Sequence, residues 1–189
     1  MLLEELSNAF GPSGCEGEVR DLIKDAIKDV VDECHVDHLG NLLAVRRGTQ
    51  RGPRMRIMVA AHMDEVGFMI SHADADGFLH VVKVGGIDDR VLPAKRLVIG
   101  PNRVKGVLIS PPVHVVPAEQ RNKPTPCKDL VVDIGAGKKD AAEAECKKGD
   151  YATFDTHYQK LGRGLVCGKA LDDRVGCAVL VELLKRGTF

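Results

Sequence analysis

An α/β core interrupted by a small β-barrel is the fold class this sequence predicts, and three observations carry that prediction. Helical periodicity and apolar, β-branched runs occupy both ends of the chain. Short apolar runs broken by Gly, Pro and Asp turns fill its middle, the pattern of an all-β barrel. Two polar clusters, His62-Met63-Asp64-Glu65 and Asp172-Asp173, flank that middle, each directly after an apolar run. We place a first α/β segment at 1–68, a β-barrel insert at 69–160 and a second α/β segment at 161–189.

Taken in order, Phe10-Gly11-Pro12 reads as a turn, and Ser13 followed by Glu16 has the spacing of a capping box. Val19, Leu22, Ile23, Ala26, Ile27 and Val30 recur at helical spacing, predicting an amphipathic helix over roughly 14–32. Asp37 to Val45 reads as a turn into a strand, and Arg46 to Arg54 as a basic loop. Met55 to Ala61 predicts a buried strand that delivers His62 and Asp64 to the edge of a sheet, where period-2 geometry puts both on one side.

In the middle, strands are predicted at Val66–Ile70, Phe78–Val84, Leu97–Ile99, Val104–Ser110, Leu130–Ile134 and Tyr151–Phe154, with one short helix at Lys138–Lys147. Pro117 to Pro126, with three prolines, is expected to be a mobile loop, and His114 alternates with apolar neighbours as a structural barrel residue would. Asp74-Ala75-Asp76-Gly77 has calcium-loop spacing, but His72 stands at the first position and Lys83 at the twelfth. A β-turn is the better reading. Leu165 to Gly168 then predicts a strand, followed by the Leu171 to Gly176 segment, in which Asp172 and Asp173 precede a helix that runs through Leu184 and that Gly187 stops.

Composition excludes several function classes. Lys plus Arg and Asp plus Glu stand at 27 each, so no global basic field points to nucleic acid or an anionic membrane. Six scattered cysteines without a CxxC pair suit reduced thiols, and no signal-peptide pattern or spanning apolar run is present. A cytoplasmic, soluble chain is expected.

Each cluster has more than one reading by itself. A histidine with a carboxylate two residues on suits a metal ligand and its orienting neighbour, a proton-transfer pair, or a structural strand-end contact. Asp172 and Asp173 suit a metal site or helix N-capping. Two such clusters brought together by closing a core around an insert favour the metal readings.

The ordered motifs Phe10-Gly11-Pro12-Ser13-Gly14, Gly40-Asn41-Leu42, Ala61 to Met69, Val84-Gly85-Gly86, Asp133 to Ala136 and Lys169 to Gly176 resemble those of the TET-type metallo-aminopeptidases. That family includes glutamyl aminopeptidases and proteins once labelled endoglucanase. The resemblance implies a phosphorylase/hydrolase-like α/β core, here incomplete, with a barrel that mediates dimerisation. It further implies peptide substrates, homo-oligomers and two divalent metal ions, zinc or cobalt. It makes His62 a ligand of one metal, Asp172 the carboxylate bridging both and Asp64 the group that orients His62; Asp173 would follow a cis peptide link.

The chain also departs from that pattern. Relatives take further ligands and a general base from a Glu-Glu pair and later Asp, Glu and His residues. After Asp172 this sequence offers only Asp173 and Glu182 as acids, and no histidine follows His157. Glu182 lies about three helical turns from Asp172, too far to serve as the base. The expectation is a metal-dependent aminopeptidase of which this chain holds part of the site and is inactive alone. The alternative is a non-catalytic assembly module that oligomerises through the barrel.

Overall fold

A computed structural model describes residues 2–49, 55–112, 116–117, 119 and 123–187. His114 and much of the 117–126 loop lie outside the described residues. The chain forms two units, Met1–Glu65 with His157–Phe189, and Val66–Thr156.

In the first unit, helix α1 (Leu2–Asn8) was not legible in the sequence, being only seven residues long. Leu6 is its fully buried anchor. Helix α2 (Gly17–Ile27) is shorter than predicted, and buries Val19 and Ile27. The predicted capping box is absent: Glu16 occupies the N-cap without a side-chain cap, its carboxylate instead accepting from Gly14 N at 2.5 Å. Ser13 turns its hydroxyl elsewhere, as described below.

Strands β1 (Glu33–Val36) and β2 (Leu42–Val45) form an antiparallel pair around a turn in which Asp37 accepts from the backbone of Leu39 and Asn41. Helix α4 (Leu171–Arg186) packs on α1 and α2. Leu6, Ala9, Val19 and Cys177 form the small core among these helices.

One prediction in this unit is corrected. Met55 to Ala61 is not a buried strand: the segment is irregular, and Met55, Ile57 and Met58 are 86%, 76% and 91% exposed. A strand needs a ladder partner for its N–H and C=O groups, and among the described residues none pairs with this segment. Leu165 to Cys167 is a strand as predicted, β10, which pairs with β9 (Gln159–Leu161) in an exposed hairpin.

The second unit is a closed antiparallel barrel in the order β3-β4-β7-β6-β5-β8, with β3 (Gly67–Ala73), β4 (Leu79–Val84), β5 (Arg96–Ile99), β6 (Val104–Ile109), β7 (Val131–Asp133) and β8 (Tyr151–Phe154). Each strand falls on a predicted apolar run. Alternation puts Leu79 and Val81, Leu97 and Ile99, and Leu108 inside, with Phe68 edge-on to Phe154 at 5.5 Å. A bulge between Ile70 and His72 shifts the phase of β3, so Ala73 points in and His72 out.

The Asp74–Gly77 segment is the expected turn, Asp74 Oδ1 accepting from the backbone N–H groups of Asp76 and Phe78. Gly77 has φ +87°, and a Cβ there would lie 2.7 Å from Lys138 N, where helix α3 (Lys139–Glu145) begins. None of the six cysteines is in a disulfide, and no helix among the described residues is long and apolar enough to cross a membrane.

Candidate functional site

The two polar clusters meet within the first unit. His62 lies between two carboxylates: Nδ1 is 3.0 Å from Asp64 Oδ1, and Nε2 is 3.0 Å from Asp172 Oδ1. Although no strand carries them, His62 and Asp64 do face one another. Burial acts most strongly on the ring and lowers its pKa, but its hydrogen bonds to the Asp172 and Asp64 carboxylates and their negative charge outweigh it, and the net shift of His62 is upward. Asp64 is also desolvated, yet its hydrogen bonds with Ser13 and His62 hold its carboxyl below the usual value.

The Asp-Asp cluster divides its two readings between its members. Asp173 Oδ1 accepts from Gly176 N at 2.9 Å and caps the helix, whose regular turns begin after it. Gly176 makes room for that carboxylate, since a Cβ there would lie 2.4 Å from Asp173 Oδ2. Asp172 is thereby left to face His62, with its side chain 97% exposed. The peptide bond between them is cis.

Beneath the exposed site lies a buried ion cluster that the sequence reading did not identify. Glu65 Oε1 accepts from Lys169 Nζ at 2.7 Å and from Gly11 N at 3.1 Å, and lies 3.7 Å from Arg174 Nη2. Lys169 Nζ also donates to Ala9 O at 2.6 Å, and Arg174 Nη1 to Leu6 O, both at the end of α1. Burial lowers the pKa of Lys169 and of Arg174, with Glu65 opposing it in both.

Gly11 is required here, because a Cβ would meet Arg174 Nη2 and Val19 Cγ2 at 2.7 Å. The Cys177 thiol, kept protonated by a burial-raised pKa, donates to His62 O at 3.3 Å. Thus the 62–65 segment is fixed against the segment that carries Asp172. Sequence spacing offers no sign of this; the only signal is that Gly11, Lys169 and Arg174 fall inside the family-like motifs.

The donor chemistry suits a divalent cation. An imidazole nitrogen and a carboxylate oxygen converge at an exposed point, and the ring's second nitrogen meets a carboxylate, as in histidines that bind zinc. The set is small: among the described residues no group of three or more His, Cys, Asp or Glu could hold a metal ion. The residues therefore fit part of a metal site.

Residues 40–188 match the M42 glutamyl aminopeptidase family. The chain belongs to that family. A lysyl aminopeptidase of Pyrococcus furiosus is 32% identical over 98% of the chain and 54% of its own length. The crystal structure of a TET aminopeptidase from a marine sediment archaeon of the Thaumarchaeota superposes with a TM-score of 0.92 at 36% identity, over 98% of this chain and 52% of that one. For the Pyrococcus horikoshii TET1 peptidase, which can assemble into a tetrahedron or a large octahedral shell, the TM-score is 0.84 at 35% identity, over 98% and 56% of the two chains. This member of the M42 family spans about half the length of the curated relatives it matches.

Proposed function

We propose that this chain is the part of a metal-dependent aminopeptidase that carries His62, a ligand of one metal ion, and Asp172, the carboxylate bridging two. The observation that carries the reading is the line Asp64–His62–Asp172, with 3.0 Å at both steps, in a chain of the M42 family. When bound, two divalent ions, zinc or cobalt, activate water and polarise the carbonyl of a peptide's first residue. Asp64 holds the proton at His62 Nδ1, which keeps the lone pair at Nε2 aimed outward. Asp172, whose Oδ1 faces His62, would hold metal through its exposed carboxylate. Asp173 fixes the start of α4 and so the direction of its neighbour.

The remaining ligands and the general base would come from a region corresponding to the half of the relatives that this chain does not match. The 189-residue chain is accordingly expected to show little or no peptidase activity. Assays of aminoacyl anilides with the purified chain, with and without chelator, test this. Metal-dependent turnover by the short chain would refute the partial-site reading, and chelator-insensitive turnover would refute the metal reading.

We also propose that the chain forms homo-oligomers through the barrel, on the support of the assemblies named for the P. horikoshii protein. Light scattering of the isolated chain and of surface variants of the barrel tests that. Association without any binding of zinc would favour a non-catalytic assembly module.

A further inference from the structure

Ser13 is the member of the site to which neither capping nor metal binding gives a role. Its hydroxyl donates a hydrogen bond to Asp64 Oδ2, on the carboxylate whose Oδ1 meets His62 Nδ1. The hydroxyl is delivered by a clamped turn. Ser13 N donates to Glu65 O at 3.2 Å, Glu65 N to Gly11 O at 2.9 Å, and Pro12 pairs with Glu65 as an isolated parallel bridge. Glu65 Oε1 closes the loop by accepting from Gly11 N, and is itself tied to Lys169. The backbone of Ser13 is therefore tied to the segment that carries Asp64 and, through Glu65, to the buried ion cluster.

A neutral imidazole has one proton, and two carboxylates compete for it here. The two differ in surroundings: Asp64 is 35% exposed and pinned by Ser13, whereas the Asp172 side chain is 97% exposed and solvated. The proton settles on the side whose acceptor is already oriented, because there no side-chain freedom is lost in making the bond.

We propose that Ser13 is a positioning residue: its hydroxyl fixes the Asp64 carboxylate and so selects the Nδ1-protonated form of His62, leaving Nε2 free on the side of Asp172. Its consequence for metal affinity rests on the reading of His62 as a ligand; the choice of tautomer does not.

Long-range 1H–15N NMR of the His62 ring at alkaline pH, in the metal-free 189-residue chain, reads the tautomer directly. The wild-type chain is expected to be Nδ1-protonated. Ser13→Ala is expected to give a mixture of tautomers and about tenfold weaker binding of cobalt(II), with Ser13→Thr restoring both. Should Ser13→Ala lose its fold by circular dichroism, Ser13→Cys, close in size and a weaker donor, is read the same way.

A His62 tautomer unchanged in the folded Ala or Cys variant overturns the proposal, whatever the cobalt result. A tautomer that shifts in a chain whose wild type binds no cobalt supports the role of Ser13 and sinks the metal reading instead.

Discussion

Glu65 is a single carboxylate serving two buried cations. The side chains of Glu65, Lys169 and Arg174 are 3%, 8% and 0% exposed, and Nε and Nη2 of Arg174 have no hydrogen-bond partner among the described residues. Such a cluster contributes little net stability when intact, since desolvation of the charges offsets their attraction. Losing one member is another matter. Glu65→Ala leaves two buried cations without the carboxylate that lies between them, and we expect a loss of about 3–5 kcal/mol in urea unfolding of the chain. Glu65→Gln keeps an acceptor for Gly11 and Lys169 but not the charge, and is expected to cost less. The pairing of Ser13 with Asp64 was hidden for a similar reason. Ser-x-x-Glu is a local pattern, whereas the bond that forms joins residues 51 apart in the chain, and spacing holds no information about such a closure.

Among the elements, the barrel strands were legible because each is a short apolar alternation between turn residues, and closure gives every one two neighbours. The run Met55 to Ala61 has the same texture and fails to become a strand. What differs is the partner, and a partner is not a property of the run itself. Helix α4 was legible, and its regular turns begin after Asp172 and Asp173, which keep non-helical angles.

The barrel's tightness gives two expectations. A Cβ at Gly106 on β6 would lie 2.6 Å from Val132 Cγ1 and 3.0 Å from Ile134 Cγ2, so Gly106→Ala should cost about 1–3 kcal/mol by thermal or urea unfolding. Cys146, after α3, is buried, and its pKa is raised from 9.0 to about 11, chiefly by desolvation. Between those values the unfolded thiol releases its proton while the folded one keeps it, so the unfolded state binds fewer protons and stability falls as pH rises. The stabilising contribution is complete below pH 9 and declines toward pH 11. Relative to Cys146→Ala, the parent chain should therefore lose stability between urea melts at pH 8 and at about pH 10.5.

At the scale of the whole molecule, the apolar surface of the first unit matters most. Met55, Ile57, Met58 and Val59 are exposed in one segment, and Val175, Val179 and Leu183 repeat at one-turn intervals along an exposed line of α4. Surfaces of this kind mark association sites or aggregation hazards. The chain is expected to bind an apolar dye and to self-associate with rising concentration, and Ile57→Lys with Met58→Glu to reduce both without lowering the melting temperature. An unchanged association constant in that double variant would remove this surface from the account.

The metal reading of the Asp64–His62–Asp172 line is tested most directly by calorimetric titration of zinc into the purified chain, beside His62→Ala and Asp172→Asn. Heat of binding is expected in the parent chain and is lost in both variants. Binding of equal strength in all three, or none in the parent chain, would contradict the metal reading.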